Sequence, residues 1–282
     1  MTSKLKGDAK MKLPNIRLGL IGAGNMGSAL IKGVYTSKLL EPNSIYVYDI
    51  DKARASSVSK EVSAKVYDSS TDIAKTCNVI IVAVKPQHII TVLNEINPYL
   101  TKGQVVISIA AGVSISRLRK AVDDRCDIIR VMPNTPALIG EGITSICTDE
   151  RVAENNMQIA KAIFSTCGIV EYINEESIHA ATAIGGSSPA YVYQFIEAIA
   201  DGGVLMGLSR EQSYRIASQA LIGAAKMLQE TGKHPGELKD MVCSPGGTTI
   251  EAVASLENSS FRSSIIEAIR VCAQKSKALE GN

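Results

Sequence analysis

Short apolar runs alternate with helical stretches over the first 172 residues. Ile16–Ile21, Ile45–Tyr48, Val79–Val84, Val105–Ile109 and Ile128–Val131 are apolar almost throughout, and Thr144–Cys147 with Gly168–Tyr172 extend the series. Continuous apolarity, rather than strict alternation, marks strands buried on both faces of a parallel sheet. Strands that alternate with helices predict an α/β, Rossmann-type doubly wound sheet. Beyond Asn174 the strand-like runs stop, and Ala, Leu, Ile, Glu and Lys dominate. Ile178–Met206 reads as one long helix bent near Pro189. Ser209 caps the next helix, with Glu211 in its first turn and Gly232 at its end. Further helices start after Pro235, around Thr248, and at Phe261, the last reaching about Leu279. The expected organisation is a sheet domain over 12–174 and an all-α domain over 175–282. Ala217, Ala220, Gly223, Ala224 and Ala225 are small enough to let helices approach closely. A single layer of helices leaves apolar surface for a partner to cover, which predicts a homodimer built through this domain.

Composition narrows the class. The chain has 282 residues, 45% hydrophobic and 21% charged, which excludes disorder and fibrous repeats. Lys plus Arg number 30 and Asp plus Glu 28, a balance of +2 that gives no basic excess for nucleic acid. The six cysteines form no CxxC and no cluster with His, so no metal site is expected and the thiols read as buried in a reducing compartment. The longest stretch free of Asp, Glu, Lys and Arg, Ser177–Ile196, is interrupted by Gly185, Gly186 and Pro189, so no membrane span is expected. Residues 1–11 read as a floppy basic leader rather than a signal peptide, and the expected location is cytoplasmic.

The first apolar run passes through Ile21 into Gly22-Ala23-Gly24-Asn25-Met26-Gly27 and then a helix. Gly22 permits the tight turn, Gly24 lets backbone approach a pyrophosphate, and Gly27 lets the helix lie close to the sheet. The second strand ends at Asp49, 22 residues past Gly27, where an acid binds an adenosine ribose. A dinucleotide cofactor, NADH or NADPH, follows. Asp49 argues for NADH, while Lys52 and Arg54 close behind it offer charge to a 2′-phosphate, and the choice stays open. Later strands end in Val84-Lys85-Pro86-Gln87, Ala110-Ala111-Gly112 and Met132-Pro133-Asn134-Thr135-Pro136, where open α/β sheets bind ligands. Asn134 is read either as a hydrogen-bond partner of the nicotinamide amide or as a cap on its own turn. Lys85 is read as a cofactor contact or as a surface lysine.

The segment Lys239-Asp240-Met241-Val242-Cys243-Ser244-Pro245-Gly246-Gly247-Thr248-Thr249 is the most informative. A loop feeds a helix whose first residues are threonines. Free N–H groups beside hydroxyls make a carboxylate site; the same residues also serve as a plain N-cap. Here the sequence resembles the pyrroline-5-carboxylate reductase family over nearly its whole length. The resemblance is carried by GAGNMG (22–27), AVKPQ (83–87), SIAAGV (108–113), MPNTPALIGEG (132–142), GGSSPAYVYQFIEA (185–198), ADGGVLMGL (200–208), GAAKML (223–228) and above all HPGELKDMVCSPGGTTIEAV (234–253). It departs at Gly185, where the family has Ser, and at Asp49, where the family often has a small or hydroxyl residue.

The resemblance implies reduction of 1-pyrroline-5-carboxylate to L-proline by hydride from NAD(P)H, the last step of proline biosynthesis. It also implies a homodimer, which often assembles further. By resemblance, substrate contacts fall on Glu175, Asp240, Val242, Cys243, Ser244, Thr248 and Thr249. Met241 lies near the cofactor, and Ser70 stands where the family has an adenosine-contacting Asn. Thr249 is expected to hydrogen-bond the ring nitrogen, and Ser244 with the N–H groups near Thr248 to hold the carboxylate. With only three His (88, 179, 234) and no evident dyad, orientation rather than a strong base would carry the rate. His234, beside Pro235, reads as a turn residue. A β-hydroxyacid dehydrogenase would pair a helix Lys with an Asn one turn on, whereas Lys226 is followed four residues later by Glu230. A non-catalytic NAD(P) sensor would have no need of the Ser244–Thr249 turn.

Overall fold

The structure, a computed structural model, describes residues 12–41 and 43–280. The leader expected over 1–11 lies outside them. Eight strands form one sheet: β1 (Leu18–Ile21), β2 (Ile45–Tyr48), β3 (Lys65–Val66), β4 (Val79–Val82), β5 (Val105–Ser108), β6 (Asp127–Met132), β7 (Gly142–Cys147) and β8 (Gly168–Tyr172). Their order is β3-β2-β1-β4-β5-β6-β7-β8, parallel at every step except β6 with β7. Residues 133–141, which join β6 to β7, hold no crossover helix, and so short a link favours antiparallel pairing. The expected strands are found, with ends shifted by a residue or two. β3 was not expected: both its residues are exposed at the sheet edge, so no apolar run marks it.

The sheet is apolar on both faces, which explains the unbroken runs. Leu18, Leu20, Ile81, Ile107 and Ile129 point to one layer, met by Leu30, Ile31 and Val34 of α1 (Asn25–Ser37), Val58 of α2 (Lys52–Val62) and Phe164. Ile80, Val82, Val106 and Ile128 point to the other. There they meet Ile73 of α3 (Ser70–Thr76), Leu93 of α4 (Ile89–Ile96) and Leu118 of α5 (Ile115–Ala121). Phe164 ends α6 (Glu154–Phe164).

After β8, α7 (Ile178–Ala181) runs into a π-helical turn (Thr182–Ser187) and on into α8 (Ser188–Leu205). The bend expected near Pro189 is this π turn, as a proline without an N–H forces the preceding turn to widen. Then come α9 (Arg210–Thr231), α10 (Pro235–Val242), α11 (Thr248–Asn258) and α12 (Phe261–Glu280). Ser209 closes a capping box with Gln212, and Gly232 ends α9 with a left-handed φ of 63°.

Two compact units result. One, Ser188–Val271, holds α8 to α11 and the first half of α12. The other holds the sheet, residues up to Ser187 and the end of α12 from Cys272. Residues 175–187 thus pack with the sheet, although helical periodicity had grouped them with the helices. Ile178, 2% exposed, belongs to the sheet core; periodicity shows that a helix has an apolar face, not what covers it. In the helical unit α8 and α9 approach closely, and a Cβ on Gly203 would stand 2.6 Å from Ser213 Oγ. Only Ala200, Ser213 and Ala217 are buried there, while Leu205 and Met206 are more than four-fifths exposed. All six cysteines are free, and Cys77, Cys126, Cys147 and Cys167 are buried.

Candidate active site

β1 and β4 are sequence-distant neighbours, so the chain reverses its winding between them and leaves a crevice at their carboxyl ends. A cleft of about 520 Å³ opens there, lined among others by Ile21, Gly22, Gly24, Asp49, Val84 and Lys85. Gly22 has φ +99°, and a Cβ on it would stand 2.7 Å from the Ala83 carbonyl. A Cβ on Gly27 would stand 2.3 Å from the Gly22 carbonyl, so only glycine lets α1 lie this close to the turn. Gly24, by contrast, faces open space, which is the room a pyrophosphate needs. α1 begins at Gly24 with no side-chain cap and no acid in its first turn, so its first N–H groups and its positive end are left to an anion. These features fit a dinucleotide. Ala23 and Asn25 line the neighbouring groove between α1 and α2, and Met26 packs against the core.

Asp49 is 8% exposed. Its Oδ2 accepts from Ala23 N–H at 2.7 Å and its Oδ1 from Asp51 N–H at 2.8 Å. The carboxylate is thereby built into the glycine turn as well as lining the cleft. Ser70 is fully buried at the start of α3 and does not line the cleft; its hydroxyl donates to Glu95 Oε1 at 2.8 Å. Glu95, on α4, does line the cleft. It was missed because a glutamate on an exposed helix face carries no motif.

Other expected residues are more dispersed. Lys85 is exposed on the cleft. Pro86 opens a second cavity of about 610 Å³ with Gln87, Ala111, Gly112, Thr182 and Cys272, beyond the ends of β4 and β5. Ala110 is 3% exposed. Asn134 stands at the N-cap position of the 3-10 turn Thr135–Ile139, but its side chain does not cap it. Instead Nδ2 donates to the Gly185 carbonyl at 2.9 Å and Oδ1 accepts from Ile143 N–H at 3.0 Å. Glu175 Oε1 accepts from Ile115 N–H at 2.6 Å and from Arg130 Nη1 at 2.9 Å. Arg130, 3% exposed in β6, also pairs with Glu280, whose other oxygen lies 2.7 Å from His179 Nε2. The Arg130–Glu280 pair spans 150 residues of sequence, which no local pattern foretells.

The remaining expected residues stand on the helical unit. Asp240, Met241 and Val242 end α10, all exposed, with Asp240 paired to Lys239 at 2.9 Å. Cys243 follows, and Ser244–Gly247 turn the chain into α11. Gly246 has φ +66°, and Gly247 N–H bonds back to the Ser244 carbonyl at 3.0 Å. α11 begins at Gly247 with no side-chain cap. Of the two readings left open, the plain Ser/Thr cap is therefore absent. The first N–H groups of α11 thus have no side-chain cap, and Thr248 and Thr249 are the first two residues of the helix. Among the described residues no group of three or more His, Cys, Asp or Glu is placed to hold a metal ion, and no helix is long and apolar enough to cross a membrane.

A dinucleotide fold followed by a helical unit of this kind defines an NAD(P)-dependent oxidoreductase. Residues 17–112 match the family model described as NADP oxidoreductase, coenzyme F420-dependent, and residues 175–279 match pyrroline-5-carboxylate reductase dimerisation. The pyrroline-5-carboxylate reductase of Escherichia coli (strain K12) is 45% identical over 263 residues, 93% of this chain and 98% of that one. The chain belongs to the pyrroline-5-carboxylate reductase family. Among solved structures, the Plasmodium falciparum pyrroline carboxylate reductase with NADP bound aligns at TM-score 0.85 and 37% identity, covering 96% of this chain and 99% of that one. That of Coxiella burnetii aligns at TM-score 0.89 and 29% identity, covering 94% and 98%.

Proposed function

We propose that this chain reduces 1-pyrroline-5-carboxylate to L-proline with NADH or NADPH, as the last step of proline biosynthesis. The observation that carries the reading is the uncapped start of α11 at Gly247, with Ser244, Thr248 and Thr249 around it, in a chain similar to these reductases along nearly its whole length.

Ile21–Gly27 and the uncapped start of α1 would hold the cofactor's pyrophosphate, Asp49 its ribose, and Val84, Lys85 and Pro86 the path toward the nicotinamide. Bound there, the cofactor supplies the hydride that the chain's own side chains cannot. Ser244 and the N–H groups at Thr248 and Thr249 hold the substrate carboxylate and so fix which face of the ring is presented. The Thr249 hydroxyl orients the ring nitrogen. If the imine arrives protonated, the site needs no strong base, and alignment does most of the work.

The reading includes a homodimer. Leu205 at the end of α8 and Met206 just past it, with Ile216 and Ile266 farther along the helical unit, expose apolar surface that a second copy would cover. Steady-state oxidation of NADH and of NADPH by the purified chain, with and without 1-pyrroline-5-carboxylate, tests the function. Substrate-dependent oxidation is expected. Turnover with neither cofactor would overturn it.

A further inference from the structure

We infer that Asp49 makes this chain select NADH over NADPH, an inference that rests on the cofactor lying in the cleft at the ends of β1 and β4. Asp49 stands at the carboxyl end of β2 on the wall of that cleft. Two backbone N–H groups, of Ala23 and Asp51, fix its rotamer at 2.7 and 2.8 Å. Each carboxylate oxygen keeps a further acceptor position. A ribose with free 2′- and 3′-hydroxyls can donate to them. A 2′-phosphate has nothing to donate and brings about −1.5 to −2 charges to the same place.

The nearby cations do not reverse this. Arg54 is paired with Asp51 at 3.6 Å and Lys52 with Asp68 at 3.1 Å, so each already faces a carboxylate. Both pairs are exposed and water-screened, whereas Asp49 is 8% exposed, where a charge is felt more strongly. Glu95 adds a second carboxylate to the cleft wall, anchored by the buried Ser70 hydroxyl. Ser70, read by resemblance as standing where the family has an adenosine-contacting Asn, thus reaches the cleft only through its bond to Glu95. Arg54, Lys85 and His88 also line the cleft: Arg54 on α2 already faces Asp51, and Lys85 and His88 stand beyond the end of β4 rather than at the end of β2 where the ribose acid stands.

Equilibrium binding tests this on the full chain. NADH and NADPH are followed by nicotinamide fluorescence, and AMP and adenosine 2′,5′-bisphosphate by calorimetry. NADH should bind at least about tenfold tighter than NADPH, and AMP at least about tenfold tighter than the bisphosphate, or about 1.4 kcal/mol. In Asp49→Asn the affinities should move in opposite directions: NADPH and the bisphosphate tighter, NADH weaker. Equal or reversed affinities in the wild type would overturn the inference. So would a variant in which both dinucleotides weaken together, the mark of a turn disturbed through Ala23. If Asp49→Asn does not fold, the wild-type ratios alone decide. The arms stay separate from the function: an active reductase with no preference sinks only this inference, whereas a binding preference without substrate-dependent oxidation sinks only the reductase reading.

Discussion

The Asn134 amide donates to the Gly185 carbonyl at 2.9 Å, on the turn that Pro189 cannot close. A residue four positions before a proline loses its helical N–H partner, and Asn134 supplies one from another part of the chain. Its Oδ1 meanwhile accepts from Ile143 N–H at the start of β7. The β6–β7 link and the π turn are thus tied by one side chain that is 7% exposed.

Asn134→Leu should therefore destabilise the sheet unit. It leaves a carbonyl and an N–H without partners, at about 1–3 kcal/mol each. Asn134→Asp keeps the acceptor for Ile143 but sets a buried carboxylate against the Gly185 carbonyl, and at pH 7 should cost at least as much as the leucine variant. Urea denaturation of the three proteins at pH 7 measures the order. Equal stability for wild type and Asn134→Leu would show that water replaces both bonds.

Thr249→Ala should lower turnover about a hundredfold, within the range typical of a lost proton-positioning group. NADH and NADPH binding and the melting temperature should hold, because alanine is a good helix former at a position near the start of α11. Unchanged kcat/KM in the variant would remove the Thr249 hydroxyl from the reaction.

What was legible in the sequence was whatever rests on local pattern. The apolar runs announce their strands because both faces of the sheet are buried, and Gly22 and Gly27 announce their turn because a Cβ at either would collide with backbone. Ser209 and Gly232 mark α9 by capping chemistry alone. What was not legible depends on partners far along the chain. β3 is two exposed residues that exist only because β2 offers an edge. The fate of Asn134 could not be read from Pro133 and Thr135, since its partners are Ile143 and Gly185. Arg130 lies hidden inside an apolar run, although an arginine in Asp127–Met132 implies buried acids somewhere. Those acids prove to be Glu175 and Glu280. The same holds for Glu175, read as a substrate contact by resemblance: on the sheet unit one of its oxygens already serves Arg130 and Ile115.

Asp149 gives the chain an acid limit. Burial raises its carboxyl, but hydrogen bonds from Arg119 and Arg151 outweigh that and hold it at about 2, below its ordinary 3.8. The Arg119 guanidinium, 5% exposed, binds it with two bonds of 2.6 Å. A carboxyl depressed on folding stabilises the folded state above its unfolded value, and that stability is lost as pH falls through the folded one. The contribution should be full at pH 7, start to fade near pH 4 and be gone near pH 2. At 1.36 kcal/mol per unit it is about 2 kcal/mol. Asp149→Asn should therefore unfold at lower urea than the wild type at pH 7, with the gap closing between pH 4 and pH 2. A gap that stays constant over that range would mean that the bidentate pair contributes through shape rather than charge.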